Sequence, residues 1–126
     1  MRVCENIPPL LWGGTPQTIA TQGRLELNST QNELRYDVSK YELVTIQFKA
    51  ETTWATAVIT VYRSLDGVTA FALETPVTVG PGTGTPAAAM TPEIDVSSVS
   101  HLIVRVTTVE GSSLYVGVIM KGSRVE

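Results

Sequence analysis

One cysteine and one histidine are all that a chain of 126 residues offers of the two side chains most used for metal binding and nucleophilic chemistry. Cys4 has no second thiol to pair with, so no internal disulfide can staple the fold, and packing must hold it. No histidine stands near it either, which leaves a free thiol compatible with a reducing cytoplasm but without the company that metal or redox chemistry needs. Long apolar runs are missing too. No stretch approaches the ~18 residues of a membrane-crossing helix. The opening MRVCENIPPLLWGG, interrupted by Glu5 and two prolines, lacks the continuous apolar segment of a secretory signal. Basic residues are few: 9 Lys and Arg against 12 Asp and Glu give a net charge of -3 and a pI near 5.1. They are scattered singly, so the basic groove that nucleic-acid phosphates require is absent. The aromatic residues then lack the electrostatic half of a base-stacking site.

What is present suits one folded domain. Hydrophobic residues at 43% and charged residues at 17% are too apolar for disorder and ordinary for a globular chain. A chain of this size buries roughly two-thirds of its unfolded surface. Residues 1–22, rich in Pro, Gly, Thr and Gln, show no sustained period and read as an extended N-terminal arm. Its apolar knot, Pro8, Leu10, Leu11 and Trp12, is a candidate docking element, since burying such side chains is worth roughly 1.5 to 3 kcal/mol each.

From residue 23 to 126 the period of two takes over, the mark of strands with one wet face. Leu34, Tyr36 and Val38 alternate with polar residues, as do Val44, Ile46 and Phe48. Ala57, Ile59 and Val61 follow, then Leu102, Val104 and Val106 with Ile103 and Arg105 opposed, and finally Val116, Val118 and Met120. Asp66-Gly67 is a turn pair, with a return strand expected over 69–73. VGPGTGTPAAAMTPE, residues 79–93, holds three glycines and three prolines and reads as a long loop. No segment has convincing helical periodicity. The expected fold is all-β: an antiparallel β-sandwich or jelly roll of about eight strands.

One pattern occurs twice. DVSKYELVTIQFKA (37–50) and DVSSVSHLIVRVTT (95–108) superpose at an offset of 58, which sets Val44, Ile46 and Phe48 on Leu102, Val104 and Val106. Two such units placed face to face would bury a shared core, with each Asp-Val-Ser step marking where the chain crosses into a new strand.

The succession DVSKYELVTIQF, TWATAVITVYRSLDG and EIDVSSVSHLIVRVTT, then a Glu-Gly turn and LYVGVIMKGS, resembles small β-sandwich proteins among the structural proteins of tailed bacteriophages. Asp37, Trp54, Ser64, Asp66, Gly67, Asp95 and Arg105 carry the likeness over roughly residues 33–124. The arm lies outside it, and Lys40 and Ser98 stand where a glycine is frequent. The resemblance implies a non-enzymatic virion protein that decorates or cements the head. Its implied partners are the major capsid protein and further copies of itself, a trimer if it sits on a three-fold axis. Its implied location is the head surface, after synthesis in the host cytoplasm. A glycan-binding module of a tail or fibre is the alternative the resemblance leaves open.

The residues give chemistry little purchase. His101 sits in an alternating strand with no nucleophile motif elsewhere. Asp37, Asp66 and Asp95 stand beside turns, where aspartate bonds its own backbone. No loop clusters the several carboxylates that calcium wants, and no cofactor is expected. For a glycan the candidate platform is Trp54 with Tyr62, while Tyr41 and Tyr115 are further exposed-ring candidates. The competing reading is that Trp54 plugs one end of the sandwich and the tyrosines lie half buried.

Overall fold

The computed structural model describes residues 1–10, 23–26, 33–50, 56–72, 76–79, 88–110 and 115–125. Its strands are β1 (Arg2–Ile7), β2 (Gly23–Glu26), β3 (Glu33–Asp37), β4 (Leu43–Ala50), β5 (Thr56–Ser64) and β6 (Phe71–Ala72), followed by β7 (Val77–Val79), β8 (Ala88–Met90), β9 (Ile94–Asp95), β10 (His101–Glu110) and β11 (Tyr115–Val125). No helix occurs among the described residues, so none is long and apolar enough to cross a membrane.

All pairings are antiparallel, and they build two sheets. Sheet I runs β1-β11-β4-β8, with β2 also on β11 and β9 also on β4. Sheet II runs β3-β10-β5-β6, with β7 also on β5. Because β4 fills one side of β11, β1 and β2 lie end to end along the other. The pairs β8 with β9 and β6 with β7 share edges in the same way. The expectation of about eight strands thus meets eleven segments among the described residues, several of them short pieces of one edge.

The inward faces of the sheets meet in one core. Val44, Ile46 and Phe48 from β4 and Leu102, Val104 and Val106 from β10 belong to the same buried cluster, together with Tyr36, Ile59, Val118 and Met120. Alternation along each strand sends these side chains to one face, and an all-β chain buries such faces by stacking two sheets.

The repeated sequence is a repeated structure. Asp37 and Asp95 each accept, through Oδ1, the backbone N–H two residues on at 3.0 Å and the Ser39 or Ser97 hydroxyl at 2.6 Å. The crossings then bind each other. Val38 N–H donates to Ser100 O at 2.9 Å, and Val96 N–H donates to Glu42 O at 2.8 Å, each bond the 58-residue image of the other. Register follows suit: Leu43 faces Asp95 as His101 faces Asp37. The halves are not set face to face, however. At each Asp-Val-Ser step the chain leaves one sheet for the other, so β4 of the first half is built into sheet I beside β9 and β11 of the second, and β10 is built into sheet II beside β3 and β5. Interlocking gives each central strand two partners from the other half.

Two stretches depart from the sequence reading. Arg2–Ile7, within the expected unpatterned arm, is a strand paired with β11 along its whole length. Its alternation of Val3, Glu5 and Ile7 on one face is disguised by a charge, because Glu5 is held by Arg124 at 2.7 Å and by the Tyr41 hydroxyl at 3.0 Å. In the expected loop 79–93, Ala88–Met90 forms a short strand on β4, where a free edge outweighs weak local preference. The return strand after Gly67 is confined to Phe71–Ala72 among the described residues. Leu11, Trp12, Trp54 and the turn at Gly111 lie outside the described residues.

Packing is tight where the halves differ. A Cβ on Gly122 would sit 2.6 Å from the Tyr41 ring and 2.8 Å from Ile7, so only glycine lets that ring lie against β11. In the other half the matching positions, by register, are Arg63 and Val99. Gly122→Ala is expected to destabilise by about 1 to 3 kcal/mol through overpacking. Phe48→Ala, which empties the centre of the shared core, is expected to cost about 3 to 5 kcal/mol. Denaturant midpoints measure both, and a wild-type midpoint for Phe48→Ala would refute the facing of β4 and β10.

Candidate functional site

Asp37, Ser64, Asp66, Gly67, Asp95 and His101 collect at one end of the sandwich, where both Asp-Val-Ser turns and the β5–β6 connection lie. Serine, aspartate and glycine in Ser64-Leu65-Asp66-Gly67 dictate that connection. Asp66 Oδ1 accepts the Val68 N–H at 2.8 Å and the Thr69 N–H at 2.7 Å, and Oδ2 accepts the Thr69 hydroxyl at 2.9 Å. The Ser64 hydroxyl donates to Asp66 and accepts the Gly67 N–H at 2.9 Å. Gly67 takes φ of 80°, a conformation that side-chain-bearing residues avoid.

The loop so fixed folds onto the outer face of sheet II. Arg35 Nη1 donates to Gly67 O at 3.0 Å, and a Cβ on Gly67 would lie 3.2 Å from the His101 ring. Ile103, which points away from the shared core, is nonetheless fully buried, flanked by its register partners Arg35 and Tyr62. Around it runs an ion network. Glu33, with its side chain only 12% exposed, accepts from Arg105 Nε at 2.7 Å and Arg35 Nε at 3.0 Å. The Arg105 guanidinium stands 4.9 Å from the Tyr62 ring centroid.

Asp37, Asp66 and Asp95 are all committed to turn hydrogen bonds, and Arg105 to Glu33. His101 is half buried, with Nδ1 2.7 Å from the Ser100 hydroxyl. Among the described residues no group of three or more His, Cys, Asp or Glu side chains could hold a metal ion. Cys4 is exposed. Tyr62 carries Arg105 over one ring face, and the structure does not bring it together with Trp54, which lies outside the described residues. Tyr41 is buried and hydrogen-bonded rather than presented as a platform. Of the apolar knot, Pro8 and Leu10 are exposed, and the Leu10 N–H donates to Arg35 O at 2.8 Å, so the chain passes from the edge of sheet I to the edge of sheet II. Beside that passage an open groove of about 360 Å³ runs between Glu5, Ile7, Pro8, Leu10, Lys40 and Tyr41.

Sequence reading missed a surface. Leu65 (70% exposed) and Val68 (69%) flank the locked Asp66-Gly67 turn, and Phe71 (61%) opens β6 where the connection ends. Their signal was present, since a turn tip is ordinarily polar and this one sets three large apolar residues within seven positions. The arrangement offers a stiff loop with an apolar tip, a geometry for contact with another surface.

The aspartates also set a pH dependence. Asp66 has its pKa lowered first by the Thr69 and Val68 backbone N–H groups, and Asp37 and Asp95 theirs by the Ser39 and Ser97 hydroxyls. A carboxylate whose folded pKa lies below its unfolded value of about 3.9 contributes stability that is present above that value and lost as pH falls through the folded one. Melting temperature is therefore expected to drop below about pH 4, and Asp66→Asn should flatten that limb. A variant that keeps the wild-type acid profile would refute the assignment.

The chain matches no protein-family model and no curated protein. Among solved structures it is similar to the SPBc2 prophage-derived protein YomS, at 12% sequence identity and a TM-score of 0.44, over 83% of this chain and 99% of that chain.

Proposed function

We propose that this protein is a non-enzymatic structural component of a tailed-phage virion that decorates the head, bridging neighbouring shell subunits and stabilising them. The exposed apolar residues Leu65 and Val68 on a hydrogen-bond-locked loop, with Phe71 at its exit into β6, carry the reading. Contact with a shell needs area and rigidity rather than convergent reactive groups. A preordered loop loses little freedom on docking, and burying Leu65, Val68 and Phe71 would contribute roughly 1.5 to 3 kcal/mol each before association costs. The resemblance to phage β-sandwich proteins supports the same reading, since the residues that carry it and are described, Asp37, Ser64, Asp66, Gly67, Asp95 and Arg105, all hold turns or ion pairs. Such motif residues preserve a scaffold, as expected of a protein used for its shape.

The proposed partners are the major capsid protein and other copies of this chain, with a trimer the form suited to a three-fold axis. Pro8 and Leu10, with Leu11 and Trp12 beyond them, would be a second point of contact. A glycan-binding role on a tail or fibre is the weaker alternative, because Arg105 occupies one face of Tyr62.

Quantitative mass spectrometry of purified particles tests the proposal, which expects copies in proportion to shell subunits. Phe71→Ser is expected to melt like wild type and to lose at least tenfold in binding to particles that lack the protein. Normal loading of that variant, or a handful of copies per particle, would sink the head-decoration reading.

A further inference from the structure

Among the described residues, three of the four sheet edges are guarded. On β3, Arg35 O accepts the Leu10 N–H, so the passing chain already uses that edge. The β8–β9 edge is interrupted by Thr91-Pro92, where the Thr91 hydroxyl replaces a ladder group by accepting the Ile46 N–H at 3.1 Å. The β6–β7 edge consists of pieces of two and three residues, with Pro76 before the second. Proline, bulges and short pieces are the devices that keep an edge from pairing with another chain.

β1 has none of them. RVCENI contains neither proline nor lysine, pairs with β11 through all six residues without a bulge, and has no strand on its outer side among the described residues. Its one acidic group, Glu5, is turned to Arg124 and Tyr41 and does not blunt the edge. The alternation is regular, with Arg2, Cys4 and Asn6 on the exposed face and Val3, Glu5 and Ile7 on the more buried one.

We infer that the free edge of β1 is a self-association surface, on which two copies pair β1 with β1 antiparallel about a two-fold axis through Cys4, so that sheet I of each continues into the other. The strand is complementary to itself in that register. Arg2 comes opposite Asn6, and Val3 opposite Glu5, with no like charges directly opposed. A two-fold axis normal to the sheet keeps the exposed residues of both strands on one face. Shifting the axis to Glu5 would set two carboxylates against each other, which disfavours the neighbouring register. The contact is isologous and closes at two, so it does not propagate into fibres. This rests on the proposed self-association and gives it a surface and a two-fold dimer as its form, in place of the trimer that a three-fold axis would suit. Its test uses the purified chain alone, so it can fail while shell binding stands, and the reverse.

Sedimentation velocity over a concentration series is expected to show a monomer–dimer equilibrium. Cys4→Lys, which places a charge on the exposed face of the edge, should weaken it at least tenfold while a dilute sample melts as the wild type does. Directly opposed residues of an antiparallel pair have Cα atoms about 4.5 to 5.5 Å apart, within the span of a disulfide. Copper–phenanthroline, the oxidant that accepts the two thiol electrons, should therefore trap a covalent wild-type dimer. For register, Arg2→Cys and Asn6→Cys, each made with Cys4→Ser, should cross-link when mixed and not separately. A monomer at every concentration, a dimer indifferent to Cys4→Lys, or cross-linking of either register variant alone would each overturn the inference.

Discussion

The pair of main-chain bonds exchanged between the two Asp-Val-Ser crossings is the constraint on which this fold depends. Val38 bonds Ser100 and Val96 bonds Glu42 at the places where the chain changes sheets. Each bond alone is worth on the order of 1 kcal/mol net. Their importance is geometric, because they fix where β4 and β10 enter, and a one-residue slip of either strand would turn Phe48 or Val104 from core to solvent. The aspartate–serine turns immobilise the crossings from outside, which explains why so small a motif is written twice.

Interlocking has an energetic consequence. Each central strand is held on both sides by strands of the other half, so neither half retains a complete sheet without its mate. Most contacts of the core are therefore long-range in sequence, and the sandwich gains stability only when both halves are in place. The polar groups at the sandwich end serve the same purpose. Glu33 holds Arg35 and Arg105 on the outer face of sheet II, and Asp66 locks the loop whose Gly67 carbonyl accepts from Arg35.

These commitments leave the surface features as the parts free to act outward. The apolar loop tip at Leu65, Val68 and Phe71 and the bare edge of β1 lie on different parts of the molecule, one at the β5–β6 connection and one at the rim of sheet I. The shell contact and the self-pairing proposed above would use one each. Neither depends on a reactive group, consistent with turns and ion pairs absorbing the titratable residues that the sequence brings to notice.

Much of this was legible in the sequence. Period-two alternation determined that Val44, Ile46 and Phe48 share a face, as do Leu102, Val104 and Val106, because side chains on a strand can point only two ways. The repeat determined that the two crossings would be alike, since Asp and Ser two residues apart bond locally whatever surrounds them. Only the tertiary structure decided that the halves exchange strands, because strand partners are set by edges that local sequence does not contain. It likewise decided that Arg2–Ile7 is a strand, with the charge of Glu5 met by Arg124, 119 residues away, and by Lys40. Exposure was decided there too: Ile103 and Phe71 are both large and apolar, but Ile103 lies on the central strand β10 between Arg35 and Tyr62, whereas Phe71 lies on the short edge strand β6.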